Sequence, residues 1–151
     1  MITIIEGVDG TGKTTYAKRL ADQQKATYLH ADKPTQTTWY EEYLTPLKHN
    51  NMVLDRWHVG ELVWPEIYGR KSLFDEDTFD LCNWTLSKIG AKLIILTRHD
   101  DDIANELLTR GEEDQIEIVL HAKDLFMKAF HKIKYIDKQI IESGVVHVHS
   151  N

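Results

Sequence analysis

The sequence has little of what extracellular and membrane proteins depend on. Cys82 is the only cysteine among 151 residues, which excludes a disulfide within the chain and disfavours a cysteine-based zinc site. No apolar run approaches the roughly 18 residues that a membrane-spanning helix needs. The N-terminus enters the apolar run 2–5 without the basic segment of a secretion signal. We therefore expect one soluble domain in a reducing compartment, the cytoplasm, with no membrane partner.

A basic surface is also missing from the overall charge balance. The formal net charge is −6 and the sequence pI is about 5.7. Proteins that bind nucleic acid usually carry a basic face, so nucleic acid is disfavoured as a partner. The chain has no repeats, low-complexity tracts or linkers, which agrees with a single domain over residues 1–151.

What the sequence does contain is an alternation of strand and helix patterns. Short apolar runs predict strands at 2–5, 27–30, 52–54, 93–96 and 145–148. Helical spacing predicts helices at 13–24, 35–48, about 79–89, 101–109 and 114–143, the last broken near Tyr135. Pro65 is expected to interrupt any helix between 57 and 68. Strands that alternate with helices predict a five-stranded parallel sheet in a three-layer α/β/α fold.

Three chemically informative positions follow predicted strands directly. Gly7 follows the first strand, Asp55 the third and Arg98 the fourth. Ligands of parallel sheets bind outside the carboxyl ends of the strands. We therefore expect these three positions to line one cleft.

The segment 7–14 reads Gly-Val-Asp-Gly-Thr-Gly-Lys-Thr and matches the phosphate-binding loop G-x-x-x-x-G-K-[ST]. A strand precedes it and a helix follows it, as that loop requires. Its glycines let backbone N–H groups approach phosphates, Lys13 would reach the β- and γ-phosphates, and Thr14 would ligate Mg²⁺. The residues expected to bind ATP are Gly10, Thr11, Gly12, Lys13, Thr14, Thr15 and Arg98. The motif predicts ATP as phosphoryl donor with Mg²⁺ as its metal.

The loop alone does not separate kinases from GTPases and mechanical ATPases. The Asn-Lys-x-Asp motif with which GTPases read their base is absent from the sequence. Mechanical ATPases usually place a Glu after the acidic residue of an apolar strand, but here Arg56 and Trp57 follow Asp55. An arginine at this place suits an anionic phosphoryl acceptor better than water. The pattern therefore favours a kinase.

At three places the sequence resembles the thymidylate kinase family and related nucleotide kinases. The segment 5–15 is similar to that family's phosphate loop almost residue for residue, and Asp55-Arg56-Trp57 resembles its Asp-Arg-aromatic motif. The segment 110–114, with Glu117, resembles its lid. The resemblance implies a short lid around 99–114 and transfer of phosphate from ATP to a deoxynucleoside monophosphate.

The same resemblance implies roles for individual residues. Asp9 would contact the 3′-hydroxyl of the acceptor, and Arg56 would bind the acceptor phosphate. Asp55 would support the metal or its water, and Arg110 would close over the phosphates from the lid. The catalytic residues expected are Lys13, Asp55, Arg56 and Arg110, with Thr14 and Asp55 at the metal.

The sequence departs from the family around the acceptor base. The segment 58–61 reads His-Val-Gly-Glu where the family has a serine-rich segment followed by Tyr-Gln, so the base-contacting Gln is missing. Gln115 replaces a second basic lid residue, and the segment 32–35 reads Asp-Lys-Pro-Thr in place of Arg-Glu-Pro-Gly. These departures leave the identity of the acceptor base open.

Other residues in and around the acceptor segment carry two interpretations each. The aromatic side chains can stack on the acceptor base or belong to the core, and the basic ones can bind its phosphate or lie on the surface. With Asp9 and Arg56, the residues expected to bind the acceptor are Lys33, Trp57, Trp64, Tyr68 and Arg70. His58 and Glu61 are expected to have packing or hydrogen-bonding roles, and Cys82 to lie in the core. His147 and His149 alternate as metal ligands would, but no third ligand accompanies them.

The expected reaction needs no strong general base, because a phosphate acceptor is already ionised near neutral pH. Three alternatives stay open. A deoxynucleoside kinase would need Asp32 or Asp55 as a base for a neutral hydroxyl. A kinase acting on a base or an end in DNA would need a basic groove, and a non-catalytic nucleotide-binding module would not need the Asp55-Arg56 pair. The expected partner is a small nucleotide, and a homodimer is left open.

Overall fold

The computed structural model describes residues 1–31 and 51–144. Five strands are present there: β1 (Ile2–Glu6), β2 (Thr27–His30), β3 (Met52–Asp55), β4 (Lys92–Thr97) and β5 (Asp137–Glu142). The α-helices are α1 (Lys13–Gln24), α2 (Trp64–Tyr68), α3 (Glu76–Lys88), α4 (Asp100–Thr109) and α5 (Ile116–Lys132). Short 3-10 helices span His58–Leu62 and Glu113–Gln115. In this part of the chain no helix is long and apolar enough to cross a membrane.

The five strands form one parallel sheet in the order β2-β3-β1-β4-β5. Strand β1 lies in the centre, with Ile5 opposite both Asp55 of β3 and Ile94 of β4. On β2, His30 lies opposite Asp55. The predicted parallel α/β fold is confirmed, and the register brings the carboxyl ends of β1, β2 and β3 together.

Two apolar clusters cover the two faces of the sheet. Since side chains alternate along a strand, Ile4 of β1 enters one cluster and Ile5 enters the other. The larger cluster holds the buried side chains of α3, α4 and α5, such as Phe79 and Phe126. The smaller one packs against α1 through Ala17 and Ala21. Burial on both faces explains why all of β1 and β3 is buried.

The C-terminal part of the described chain differs from the sequence-based prediction. The predicted helix over 114–143 is wrong beyond α5, because the chain turns at Tyr135 (φ 75°) and continues as β5. Ile133 is already extended, and Lys138 donates hydrogen bonds to the carbonyls of Phe130 and Ile133. Pairing with β4 satisfies the backbone of 137–142, which outweighs the helical spacing of the segment. The predicted strand 145–148 and helix 35–48 lie outside the described residues.

The prediction that Pro65 interrupts helix formation between 57 and 68 is also wrong. Pro65 lies in the first turn of α2, where the missing N–H of a proline costs nothing. The helix is short, and Gly69 ends it in a left-handed conformation (φ 65°).

Candidate active site

The phosphate loop connects β1 to α1 and begins at Gly7, where only glycine fits. Its φ is 140°, and a Cβ atom there would lie 2.3 Å from the carbonyl oxygen of Leu96. The loop therefore passes directly over the carboxyl end of β4. Gly12 is left-handed (φ 76°) and leads into the first turn of α1, where Lys13, Thr14 and Thr15 lie.

Contacts from three directions fix the outer part of the loop. Thr11 Oγ1 donates a hydrogen bond of 2.8 Å to the carbonyl of Val8 within the loop. Arg98, which follows β4, donates from Nη1 to the carbonyl of Gly10 at 3.1 Å. Ser143, which follows β5, donates from Oγ to the carbonyl of Thr11 at 2.5 Å. The structure thus brings Arg98 to the loop, and its expected role in binding ATP stays a prediction.

Lys13 is buried beneath the loop although it carries a charge. Its side chain is 5% exposed, and Nζ lies 3.9 Å from Asp55 Oδ1, an ion pair too long for a hydrogen bond. Burial lowers the pKa of Lys13, and the nearby Arg56 lowers it further, while Asp55 and Asp9 oppose that change. A buried ammonium whose ion pair within the described residues is this long is suited to an anionic ligand such as a phosphate.

Asp55 is the most connected side chain of the site, and its two oxygens differ. Oδ2 accepts hydrogen bonds from the hydroxyls of Thr14 (2.8 Å) and Tyr28 (2.6 Å) and contacts His30 Nδ1 at 3.1 Å. Oδ1 is buried and accepts no hydrogen bond from the described residues. Burial alone would raise the pKa of Asp55, but these hydrogen bonds and Lys13 outweigh it, so that the pKa lies below its usual value.

This arrangement fits a Mg²⁺ ion held together with a nucleotide. Thr14 and Asp55 provide hard oxygen ligands 2.8 Å apart, and Asp55 Oδ1 has no hydrogen-bond donor within the described residues. No group of three His, Cys, Asp or Glu side chains that could hold a metal exists in residues 1–31 and 51–144. Mg²⁺ is commonly bound through one or two protein ligands, substrate phosphates and water, so Thr14 and Asp55 fit such a site, and their role at the metal stays a prediction.

Arg56 adopts an uncommon backbone conformation at the edge of the loop. Its φ is 67°, which costs a non-glycine residue about 1–2 kcal/mol. The backbone N–H donates to the carbonyl of Ile5 at 2.9 Å, and Nη2 donates to Asp9 Oδ1 at 3.0 Å. The side chains of Arg56 and Asp9 are 43% and 48% exposed. The strained turn thus places an accessible guanidinium beside the loop, together with Asp9.

Glu6 supports that turn from inside the protein, a role that sequence reasoning missed. Its buried carboxylate accepts hydrogen bonds from the backbone N–H groups of Trp57 (2.7 Å) and Val59 (3.0 Å). Burial raises the pKa of Glu6 to about 7, although these hydrogen bonds and Lys13 oppose the change. A glutamate at the end of a fully buried strand, next to the loop, was the available signal.

The three aromatic candidates occupy different environments. Trp57 is 4% exposed and belongs to the larger apolar cluster. Trp64 packs against the edge of Phe126 and stacks with Tyr68 at 6.0 Å between ring centroids. Tyr68 is 63% exposed. Only Tyr68 therefore presents a largely free ring face in the described structure, and base stacking stays a prediction for all three.

Arg70, which follows α2, forms a tight pair with Glu61 in the 3-10 helix before α2. Arg70 donates from Nη2 to Oε1 at 2.8 Å and from Nη1 to Oε2 at 3.1 Å. Glu61 is buried and also accepts from the backbone N–H of Leu73. The expected polar role of Glu61 agrees with these contacts. Binding of an acceptor phosphate by Arg70 would require this bidentate pair to open, and it stays a prediction.

The expected lid is a packed helix over most of its length. Ile103 and Leu107 of α4 are buried, and Ile103 lies against Gly10 of the loop. Arg110 ends this helix and pairs with Glu106 one turn earlier, at 3.1 Å. Its role at the phosphates stays a prediction, as does that of Lys33, which lies outside the described residues together with His147 and His149.

Two further residues at the carboxyl end of β2 were not predicted from the sequence. Tyr28 and His30 both contact Asp55, and the two side chains lie on the same face of the strand. The cue was present in the polar side chains at the end of a predicted parallel strand. Their partner could not be inferred, because it depends on the register between β2 and β3.

Comparisons with solved structures find the same fold in several proteins, two of which are named as kinases. YorR from Bacillus subtilis superposes with a TM-score of 0.83 at 19% identity, over 96% of this chain and 87% of that one. Polyphosphate kinase 2 from Arthrobacter aurescens TC1 gives 0.69 at 13% identity, over 93% of this chain and 60% of that one. Deoxyadenosine kinase from M. mycoides gives 0.59 at 15% identity, over 94% and 90%. The chain therefore shares the α/β fold of these proteins.

Comparisons at the level of sequence give no further assignment. No protein-family model matches the chain, and no curated protein matches it significantly. Identities of this size show a common fold and leave the substrate to be argued from the site itself.

Proposed function

We propose that this protein is a nucleotide kinase that transfers the γ-phosphoryl group of ATP to a deoxynucleoside monophosphate. One observation carries the proposal: the exposed Arg56, 3.0 Å from Asp9, lies at the rim of a phosphate loop that contains Lys13 and Thr14. A positively charged side chain that can bind the acceptor phosphate thus lies next to the residues that can bind the phosphates of ATP. Proximity of this kind is what in-line transfer between two anions needs.

The donor phosphates would lie in the loop. Its backbone N–H groups and Lys13 neutralise charge on the β- and γ-phosphates, while Thr14 and Asp55 hold the metal. When bound, Mg²⁺ would supply charge neutralisation at the phosphates during transfer. Arg98 and Ser143 fix the loop carbonyls and so preserve the direction of its N–H groups. Preorganised donors need no rearrangement at the moment of reaction.

The acceptor side is organised for an anion and not for a neutral hydroxyl. Arg56 presents a planar guanidinium, which matches phosphate oxygens in a bidentate contact. Two of the described carboxylates, those of Asp55 and Glu6, are restrained in ways that disfavour a role as base. Asp55 has three contacts at Oδ2 and a lowered pKa, and Glu6 is buried behind the loop. A monophosphate is already ionised near neutral pH and needs no such base.

The comparisons support a nucleotide as the ligand class and keep one alternative. YorR was solved in complex with phosphorylated GDP, and the M. mycoides enzyme is a deoxyadenosine kinase solved with dCTP and with dATP. The structural likeness to a deoxyadenosine kinase favours a deoxynucleoside kinase as the second candidate. That reaction needs a carboxylate base, for which Asp32, outside the described residues, and Asp55 are the candidates.

The decisive test compares acceptors. The purified protein is incubated with [γ-³²P]ATP and Mg²⁺ together with each dNMP, each NMP, each deoxynucleoside or a DNA oligonucleotide, and products are separated by thin-layer chromatography. We expect label to enter one or more dNMPs in preference to the NMPs and to all other acceptors. If deoxynucleosides without a phosphate turn over as fast as their monophosphates, the second candidate replaces the first. Parallel reactions with GTP test the donor.

Replacing Arg56 tests the observation on which the proposal depends. Arg56→Ala should lower kcat/KM for the dNMP by about 30-fold or more, since loss of a charge contact that is desolvated when the acceptor binds costs about 2–5 kcal/mol. The affinity for ATP should change little. Arg56→Lys should restore only part of the loss, because an ammonium lacks the planar fork. Arg19→Ala, which removes an exposed arginine from α1, is the matched control. An unchanged kcat/KM in Arg56→Ala would contradict the proposed role.

A further inference from the structure

The carboxylate of Asp55 is held in a single orientation by its neighbours. Three contacts meet at Oδ2, from Thr14, Tyr28 and His30, while Oδ1 points to the side of Lys13, whose Nζ lies 3.9 Å away. The contact with Tyr28 is the shortest of the three, at 2.6 Å. One oxygen is therefore saturated, and the other is left for a ligand at the phosphate loop.

The ring of Tyr28 is held in place by contacts other than its hydrogen bond to Asp55. It lies opposite Val53 in the register of β2 and β3, two residues before the position of Asp55. Its ring packs against the smaller apolar cluster beneath α1, and Lys18 Nζ lies 5.5 Å from the ring centroid. The Tyr28 side chain thus links α1 and β2 to Asp55 at the end of β3.

We propose that Tyr28 is a positioning residue for the metal-binding carboxylate: its hydroxyl anchors Asp55 Oδ2, so that Oδ1 faces the metal ion of the bound nucleotide. This inference rests on the proposed function, in which Thr14 and Asp55 hold the metal. Outer partners of this kind orient a ligating carboxylate and typically change metal affinity or activity 10- to 100-fold when removed. Tyr28 would therefore determine how tightly the metal–nucleotide complex binds, without contacting it.

The phenol hydroxyl is a hydrogen-bond donor, and in its 2.6 Å contact it donates to Asp55 Oδ2. Without it, Thr14 would be the remaining hydroxyl donor to Oδ2 among the described residues, and Thr14 is itself an expected metal ligand.

Tyr28→Phe removes the hydroxyl and keeps the ring, and Tyr16→Phe is the matched control. Tyr16 packs against the same apolar cluster and makes no described contact with Asp55. Binding of Mn²⁺, as a spectroscopic substitute for Mg²⁺, is measured by electron paramagnetic resonance with a non-hydrolysable ATP analogue present. Analogue binding without metal is measured by calorimetry, and circular dichroism reports the fold and the Tm.

We expect at least a tenfold weaker affinity for Mn²⁺ in Tyr28→Phe, with metal-free analogue binding and the Tyr16→Phe control unchanged. Wild-type affinity in Tyr28→Phe would overturn the inference and leave the proposed function intact. A wild-type protein that binds neither the analogue nor Mn²⁺ with it would overturn the proposed function and the inference together. A drop in metal-free analogue binding equal to the drop in Mn²⁺ affinity would assign Tyr28 a structural role instead and overturn the inference.

Discussion

Glu6 and His58 are both buried ionisable residues, and they make the free energy of unfolding depend on pH in opposite directions. Glu6 is 1% exposed, and burial raises its pKa from 4.5 to about 7. His58 is 0% exposed, and burial lowers its pKa from 6.5 to about 4, although its contact with Asn83 opposes the change. Since one pKa unit corresponds to about 1.4 kcal/mol, each change amounts to about 3 kcal/mol.

The two signs follow from which state binds the proton. Between pH 4.5 and about 7 folded Glu6 keeps a proton that the unfolded chain releases, so the free energy of unfolding falls as pH rises. Between pH 6.5 and about 4 the unfolded chain protonates His58 while the folded protein does not, so the free energy of unfolding falls as pH falls. The two contributions to the free energy of unfolding nearly cancel where their pH ranges overlap. Neither is therefore visible in the pH dependence of wild-type stability.

Glu6→Gln separates them, because glutamine keeps an oxygen for the N–H groups of Trp57 and Val59 but cannot ionise. The free energy of unfolding is measured from urea titrations, followed by tryptophan fluorescence, at several pH values between 4.5 and 7.5. Relative to wild type, the variant should gain about 3 kcal/mol as pH rises through this range. His58→Gln should shift the curve in the opposite sense.

Groups other than Glu6 titrate in both proteins and drop out of the difference between the two curves. Parallel curves for wild type and Glu6→Gln between pH 4.5 and 7 would refute the reasoning, since they would mean that Glu6 ionises in the folded protein as it does in the unfolded chain. A difference that grows toward acid pH would refute it as well.

Three further predictions concern the phosphate loop. Lys13→Ala should abolish phosphoryl transfer while circular dichroism shows an intact fold; transfer near the wild-type rate would exclude the loop as the donor site. Thr14→Ala should raise the Mg²⁺ concentration needed for half-maximal activity, and EDTA should stop the reaction; turnover without metal would contradict this. Gly7→Ala should lower stability by more than the roughly 1–2 kcal/mol of left-handed strain, because its Cβ would lie 2.3 Å from a carbonyl oxygen. Gly69→Ala (φ 65°, open space) is its control in thermal unfolding, and equal losses in both would contradict the close approach.

The central part of the fold could be predicted because its signals are local. The segment 7–14 specifies a loop by its own glycines, and the apolar runs of β1, β3 and β4 are continuous. Parallel topology follows from the alternation of strands and helices, and in the structure Asp55 lies opposite Ile5 while Arg98 bonds to the carbonyl of Gly10 in the loop. These features depend on spacing along the chain, which the sequence displays directly.

What could not be predicted depends on contacts between distant residues. Strand β5 has helical spacing and polar side chains, and only its pairing with β4 makes it a strand. Tyr28 reaches Asp55 through a register that nothing in the local sequence specifies. From the sequence, Arg70 could bind a phosphate or lie on the surface, and only the structure shows that it pairs with Glu61. The environment of each side chain is a property of the packed molecule and not of its neighbours in sequence.

The strand order has a consequence for local opening of the protein. Among the described strands, β2 and β5 lie at the edges of the sheet, and both supply supports for the site, since Tyr28 lies on β2 and Ser143 follows β5. Edge strands pair on one side only and open at lower free energy than the centre of a sheet. A nucleotide held at central β1 would therefore slow amide hydrogen exchange at both margins of the sheet, while fraying at either margin would weaken nucleotide binding by the same coupling free energy.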